Sequence, residues 1–237
     1  MRLGDFTKLD NTTPILLLLS GLSESGKSLF GQTAVNNGWG NRLKVYKTIA
    51  IGASDNHLPL AKDGSNNPFS IASELPSSQQ GEMLDFIVAD FQKKFLETQV
   101  PVAVVETFKH PWLVDGLRDR TDIRAISLFI EADFANRLTR EASKKKLTAQ
   151  DDINELAETI RQKDVTKASY GNMEIRRTAD ILVVNNGDLY TYLSFTSVCT
   201  YPKLTRICPK STSESPNTIT SKSSCLRVNF PYNPSKA

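Results

Sequence analysis

The sequence contains few cysteines, no long hydrophobic run and no strong excess of charge of one sign. Its three cysteines all lie in the C-terminal segment 194–237, odd in number and widely spaced. This pattern fits neither a disulfide framework nor a zinc site built from cysteine pairs, but agrees with incidental thiols in a reducing cytosol. The apolar run Pro14–Leu19 is far shorter than the roughly 20 residues that span a bilayer. It is also a poor signal-peptide core, since Asp5 and Asp10 precede it. We therefore expect a cytoplasmic protein without membrane contact.

The net charge of +3 is unevenly distributed along the 237 residues. Segment 194–237 carries six basic residues and one acidic residue, a net charge of +5, which leaves −2 for residues 1–193. A nucleic-acid-binding protein should carry its basic patch on the folded part, so this class is disfavoured. The same segment is rich in Ser, Thr and Pro and too poor in apolar residues to offset its chain entropy. We therefore expect one domain over 1–193 and a C-terminal tail, 194–237, that is largely disordered.

Within 1–193, strand-like and helix-like patterns alternate. Short apolar runs predict strands buried on both faces, and apolar residues at three- and four-residue steps predict helices. The predicted strands are Ile15–Leu19, Leu43–Ile51, Pro101–Val105, Ala125–Ile130 and Ile181–Val184. The predicted helices are Lys27–Asn37, Ser78–Thr98, Pro111–Arg118, Asp133–Lys145 and Thr148–Lys163. Residues 52–78, rich in Asn, Ser, Gly and Pro, predict a long loop. Strands separated by helices imply an α/β fold, a parallel sheet with helices on both faces.

The most specific motif runs from Gly21 to Ser28 and fits the Walker A pattern G-x-x-x-x-G-K-[ST]. It follows a predicted buried strand and opens a predicted helix, the context in which such a loop binds phosphate. Gly21 and Gly26 let the backbone curl so that N–H groups point at phosphate oxygens. Lys27 supplies a charge for the β- and γ-phosphates, and the Ser28 hydroxyl can enter a Mg²⁺ shell. The predicted nucleotide-binding residues are Gly21, Ser23, Glu24, Ser25, Gly26, Lys27, Ser28 and Leu29.

Glu106 directly follows the strand predicted at Pro101–Val105, where a carboxylate would reach Mg²⁺ through water. The predicted metal ligands are therefore Ser28 and Glu106. The chain lacks the Asp-Gly switch and the base-reading Asn-Lys-x-Asp of switch-type GTPases, which argues against that class.

Three arginines are candidates for neutralising the transferred phosphate. Arg137 and Arg140 lie one helical turn apart, and Arg161 lies on the following predicted helix. Phosphoryl transfer depends mainly on charge neutralisation and on excluding water beneath a closing lid. We expect the segment of about 137–164 to form that lid. The predicted catalytic residues are Lys27, Glu106, Arg137, Arg140 and Arg161.

In their order along the chain, these motifs resemble those of the P-loop small-molecule kinases, and among them the dephospho-CoA kinase and nucleoside monophosphate kinase branch. The resemblance covers about residues 14–193. It rests on Gly21–Ser28, Val102–Glu106 with His110-Pro111, Ile126–Asp133 with Arg137 and Arg140, Arg161 with Asp164, and Ala179–Gly187. It implies a three-layer P-loop NTPase kinase-like fold. Where that branch commonly has an acid followed by Gly-x-Arg, this chain has Glu106-Thr107-Phe108-Lys109, so that Thr replaces Gly and Lys replaces Arg.

The residues leave the phosphate acceptor open. Dephospho-CoA kinases place an Asp just after the second strand as the base for the attacking hydroxyl, whereas Arg42–Lys47 contains no carboxylate. Either Asp55 or Glu106 acts as the base, or the acceptor is different. Nucleoside monophosphate kinases need no such base, because their acceptor is an ionised phosphate that Arg42, Lys44 and Lys47 could grip.

What the resemblance implies is an ATP-dependent phosphotransferase that moves the γ-phosphate of ATP to a nucleotide or nucleotide-like metabolite. Its cofactors would be ATP and Mg²⁺, and its partner a small-molecule phosphate acceptor. Two alternatives stay open: an ATP-binding switch or adaptor that hydrolyses without an acceptor, and a catalytically inactive kinase homologue. The sequence does not indicate an oligomeric state.

Overall fold

Six parallel strands form one sheet in the computed structural model, which describes residues 15–36, 40–54, 61, 64, 67–98, 102–187 and 226–230. The strands are β1 (Ile15–Gly21), β2 (Gly40–Lys44), β3 (Val102–Glu106), β4 (Arg124–Glu131), β5 (Ile181–Asn185) and β6 (Leu226–Phe230). The helices are α1 (Lys27–Asn36), α2 (Val45–Ser54), α3 (Pro68–Glu74), α4 (Ser77–Thr98), α5 (Pro111–Arg118), α6 (Phe134–Lys145), α7 (Gln150–Ser169) and α8 (Asn172–Thr178). The strand order is β2-β3-β1-β4-β5-β6.

The central strand β1 is buried along its whole length. Because successive side chains of a strand point to opposite faces, its apolar run supplies both faces of the sheet. Leu16 and Leu18 pack into a cluster with side chains of α2, α3, α4, α5 and α8. Leu17 and Leu19 pack on the other face with Phe30 of α1. This arrangement confirms the predicted parallel sheet with helices on both faces.

The strand predicted over Leu43–Ile51 is wrong for most of its length. β2 ends at Lys44, and the next ten residues form α2. Val45, Ile49 and Ala53 are buried at four-residue spacing on one face of this helix. The apolar residues of this stretch fit a two-residue alternation only loosely, and tertiary packing selects the helical period.

The long loop predicted over 52–78 is also wrong in part. It contains α3, which begins where the Asn67 side chain accepts the Phe69 N–H at 3.1 Å and Pro68 occupies the first turn. α2 continues to Ser54 and α4 already starts at Ser77. Asp55, a candidate base, lies outside the described residues.

At the C-terminal side of the domain, the helices extend further than predicted. α7 continues six residues beyond the predicted end at Lys163, and α8 follows it. Most of the tail predicted to be disordered lies outside the described residues. Its segment Leu226–Phe230 forms β6, which pairs with β5 and which the sequence does not predict. None of the helices within the described ranges is both long and apolar enough to cross a bilayer.

A buried polar chain joins α2, α3 and the start of α5. The Tyr46 hydroxyl accepts the Lys109 N–H at 3.2 Å and lies 2.6 Å from His110 Nδ1. His110 Nε2 lies 2.8 Å from the Ser73 hydroxyl. Burial lowers the pKa of His110 to about 4, and the neighbouring Lys109 ammonium acts in the same direction. His110 is therefore neutral at pH 7 and links the three elements as an uncharged group.

His110 makes the fold sensitive to acid. Between pH 6.5 and 4, the unfolded chain binds a proton at His110 that the folded chain does not, so this residue lowers the free energy of unfolding by up to about 3 kcal/mol as the pH falls. We expect the stability advantage of the parent protein over His110→Gln to shrink from pH 7 to pH 4. Urea unfolding of both proteins at pH 7, 5.5 and 4.5 measures this, and a constant difference would contradict it.

Candidate nucleotide-binding site

The phosphate loop, Gly21–Ser28, leaves the carboxyl end of β1 and ends in the first turn of α1. Gly21 has a φ of +143°, and a Cβ built on it would lie 2.0 Å from the Ile130 carbonyl oxygen. Gly26 has a φ of +102°. Both positions thus require glycine, the first for close backbone approach and the second for its backbone angle. The Lys27 amine lies over this loop, donating to the Leu22 carbonyl and to the Ser25 hydroxyl.

A cavity of about 880 Å³ opens over the phosphate loop. Its walls are phosphate-loop side chains, Thr107 and Lys109 after β3, one side of α6 and a row of α7 side chains from Thr159 to Lys167. The volume lies in the range of about 300–1,000 Å³ that is usual for small-molecule sites. All of the predicted nucleotide-binding residues except Gly21 line this cavity. The site lies at the carboxyl ends of parallel strands, where open α/β sheets bind their ligands.

The Asp164 side chain of α7 fastens the phosphate loop to the α6–α7 hairpin. One carboxylate oxygen accepts the Ser23 N–H at 2.9 Å, and the other accepts from Arg137 at 2.5 Å. Arg137 also donates to the Ser23 carbonyl at 2.9 Å and is only 5% exposed. From the opposite side, the Asn185 amide of β5 donates to the Ser25 carbonyl at 2.9 Å. Arg137 therefore binds the protein's own loop, and its catalytic role stays a prediction.

The other two candidate arginines lie at different distances from the cavity. Arg140 reaches the cavity wall and donates to the carbonyls of Asn185 and Gly187 at 2.9 and 2.7 Å. Arg161 is exposed, does not line the cavity, and stacks its guanidinium 4.8 Å from the centre of the Phe134 ring. The structure thus brings Arg140, but not Arg161, to the phosphate loop.

Glu106 lies at the end of β3 and is only 2% exposed. Both of its carboxylate oxygens accept from Arg42, at 2.7 and 2.9 Å, because β2 and β3 run side by side. This pairing engages Arg42, one of the residues predicted to grip an acceptor phosphate, whereas Lys44 and Lys47 are exposed. Among the described residues, no three His, Cys, Asp or Glu side chains come together as metal ligands. A metal ion here would depend on Ser28, on the phosphates of a bound nucleotide and on water.

A lysine that the sequence analysis misses belongs to the site. The Lys167 amine donates to the Gly21 carbonyl at 3.4 Å, next to the Leu22 carbonyl that accepts from Lys27. Burial and the Lys167 ammonium lower the pKa of Lys27 well below its usual value. Burial also lowers the pKa of Lys167 to about 8, with Asp164 opposing the shift and Lys109 adding to it. The sequence predicts that this helix ends at Lys163. Lys167 lies one helical turn further along α7, on the same face as Lys163.

Thr107 lines the cavity in a strained conformation. Its φ is +76°, which is a true outlier for a β-branched residue, and its N–H donates to the Leu19 carbonyl at 2.9 Å. Strain of this kind persists where the surroundings over-determine the backbone, and it concentrates at ligand sites. Thr107 stands where the resembling kinases commonly have Gly, so the chain keeps a glycine-type backbone angle without the glycine.

Replacing Thr107 with Gly should stabilise the protein. The left-handed conformation costs an L-residue about 1–2 kcal/mol, and the extra freedom of Gly in the unfolded chain costs about 0.5–1 kcal/mol. We expect Thr107→Gly to raise the free energy of unfolding by about 1 kcal/mol in denaturant titrations. Thr107→Ala is the control, because it retains a Cβ and therefore the strain. Equal stability of Thr107→Gly and Thr107→Ala would show that the backbone angle of residue 107 does not destabilise the parent protein.

Removing the Asp164 carboxylate should destabilise the domain strongly. Asp164→Ala leaves the buried Arg137 without its ion-pair partner, a change that typically costs 3–5 kcal/mol. We expect a loss of about 3 kcal/mol in unfolding free energy. Glu155→Ala, at an exposed position of the same helix, should change stability by less than about 0.5 kcal/mol. A similar small effect for Asp164→Ala would mean that the loop is held by other contacts.

No protein-family model and no curated protein sequence matches the chain. Among solved structures, it is similar to TT1252 from Thermus thermophilus, with 16% sequence identity and a TM-score of 0.50 over 79% of this chain and 99% of that chain. Similarity also extends to a gluconokinase from Sinorhizobium meliloti 1021, at 13% identity over 79% of this chain and 90% of that chain, with a TM-score of 0.41. A shikimate kinase from Aquifex aeolicus shares 16% identity over 77% of this chain and 94% of that chain, with a TM-score of 0.35.

These similarities concern the fold. The parallel sheet carries helices on both faces, and the phosphate loop lies between the central strand and α1. The expected α/β fold is therefore confirmed.

Proposed function

We propose that this chain is an ATP-dependent phosphotransferase that moves the γ-phosphate of ATP to a small-molecule acceptor. The observation that carries the proposal is the glycine-shaped phosphate loop opening onto a cavity lined by basic side chains. Those side chains are Lys27, Lys109, Arg140, Lys144, Lys163 and Lys167. They come from the loop, from the end of β3 and from both helices of the hairpin, so they surround the loop on several sides.

The groups around this cavity agree with the requirements of phosphoryl transfer. The reaction needs an aligned phosphate chain, neutralisation of charge on its oxygens and exclusion of water. The loop amides and the amino end of α1 would bind the phosphate chain, and Lys27 would hold its β- and γ-phosphates. Arg140 lies at the wall next to these groups. Its role as a charge-neutralising residue, like those proposed for Arg137 and Arg161, rests on the family resemblance.

Mg²⁺ would fit beside the Ser28 hydroxyl, which is exposed at the cavity in the first turn of α1. When bound, the ion would neutralise charge on the β- and γ-phosphate oxygens. Glu106 would take part through water, in agreement with its place at the end of β3. Because Arg42 engages both oxygens of Glu106, this carboxylate would act as a fixed negative charge within an ion pair.

For the acceptor we propose a nucleotide or nucleotide-like metabolite. The support is the family resemblance, which favours the dephospho-CoA kinase and nucleoside monophosphate kinase branch. An acceptor that is already ionised fits the site better than one that needs a base, since Glu106 is held by Arg42. Lys44 and Lys47 remain candidate acceptor ligands on the exposed side of β2 and α2.

Replacing Lys27 with Ala should abolish phosphotransfer while preserving the fold. The variant loses the cation that binds the β- and γ-phosphates, and we expect the rate to fall at least about 100-fold. Burial already disfavours the charged Lys27 amine in the folded state, so its removal should not lower the melting temperature. Lys93→Ala, at an exposed position of α4, is the charge-matched control. Full activity of Lys27→Ala would refute the proposed site.

A panel of metabolites with labelled ATP tests the reaction itself. Transfer of label that depends on a nucleotide acceptor supports the kinase. Slow release of phosphate with every acceptor supports an ATP-binding switch, and absence of ATP binding in calorimetry supports an inactive homologue.

A further inference from the structure

Lys167 is a half-buried cavity lysine to which the proposed reaction assigns no specific role. It lies in the last turns of α7, and its amine reaches across to the phosphate loop, 3.4 Å from the Gly21 carbonyl oxygen. The Lys27 amine, from the first turn of α1, donates to the adjacent Leu22 carbonyl. Amines from two different helices thus contact consecutive carbonyls of the phosphate loop at the cavity.

The arginines of the hairpin are committed to other contacts. Arg137 binds the Asp164 carboxylate and the Ser23 carbonyl, and Arg140 binds two carbonyls after β5. Arg161 stacks on Phe134 outside the cavity wall. Of the three, Arg140 lines the cavity, with its guanidinium donating to those two carbonyls.

The other hairpin lysines that line the cavity lie at its rim. The Lys144 side chain is 74% exposed and pairs with Glu141, and the Lys163 side chain is 52% exposed with Glu24 at 3.8 Å. Lys167 is more enclosed than either. Its nearest carboxylate on α7, Asp164, already accepts from Ser23 and Arg137. The two carboxylates whose charges act on Lys27 and Lys167, Glu24 and Asp164, each also pair with another cation, Lys163 and Arg137, so an anion between the two amines would add negative charge there.

We propose that Lys167 binds the same phosphate group of the nucleotide as Lys27, so that the phosphate chain is clamped between α1 and α7. The inference rests on the proposed function, since it assumes a nucleotide in this cavity. It adds a phosphate contact from a lysine near the end of α7 to the roles proposed for the arginines. Binding through this clamp depends on the number of phosphates, because Lys27 is expected to hold the β- and γ-phosphates, which a nucleoside monophosphate lacks.

Calorimetric titration of the full chain with ATP, AMP and inorganic tripolyphosphate tests the clamp. We expect Lys167→Ala to weaken binding of ATP and tripolyphosphate at least tenfold and binding of AMP less than twofold. Lys167→Arg should retain ATP affinity within about threefold, because it keeps the charge. Lys93→Ala should match the parent protein with all three ligands.

Thermal unfolding separates phosphate binding from a structural role. Without ligand, Lys167→Ala should melt at the parent temperature or above it, since burial already disfavours the charged Lys167 amine in the folded protein, while the increase caused by ATP becomes smaller. Parent-like ATP affinity in Lys167→Ala, or equal losses for ATP and AMP with a lower melting temperature, would overturn the clamp. If Lys27→Ala lowers ATP affinity and Lys167→Ala does not, only this inference fails. If the parent protein binds neither ATP nor tripolyphosphate, the proposed function fails with it.

Discussion

The contact between Asp164 and the phosphate loop is the constraint on which the rest of the site depends. The Asp164 carboxylate accepts the Ser23 N–H and pairs with the buried Arg137 guanidinium. That guanidinium in turn donates to the Ser23 carbonyl. A helix that follows the fourth strand is thereby tied to a loop that follows the first. Every cavity side chain of α7 takes its position relative to the loop from this closed ring of hydrogen bonds. The hairpin is thus held in register with the phosphate loop.

Arginine and lysine have separate tasks around this cavity. Arg42, Arg137 and Arg140 hold carboxylates or backbone carbonyls, for which the planar, multiply donating guanidinium is suited. The cavity lysines of the α6–α7 hairpin make single contacts with a loop carbonyl or a glutamate through compact charges on flexible stems. Rigid scaffold contacts and adaptable ligand contacts therefore use different chemical groups. A phosphate chain can recruit the lysines without disturbing the ion pairs that support the loop.

The sequence predicts best what local spacing encodes. The phosphate loop is recognisable because its glycines and lysine lie within eight residues, and β1 because an unbroken apolar run must be covered on both faces. The sequence predicts a strand where α2 lies, because a short apolar stretch fits both the two-residue period of a strand and the 3.6-residue period of a helix. The pair of Arg42 with Glu106 depends on the register between β2 and β3, two strands far apart in the chain. Lys167 lies beyond the predicted helix end at Lys163, because helix ends are weakly encoded in the sequence.

Because β6 belongs to the sheet, truncating the chain after residue 193 would remove one of its strands. β6 covers the hydrogen-bonding edge of β5, whose sequence ILVVN is apolar and buried for most of its length. An uncovered edge strand of this composition is a template for pairing with another molecule. A boundary drawn at residue 193, where the composition changes, would strip this cover and leave β5 exposed to edge-to-edge aggregation. Part of the compositionally atypical C-terminal segment thus covers this edge of the sheet.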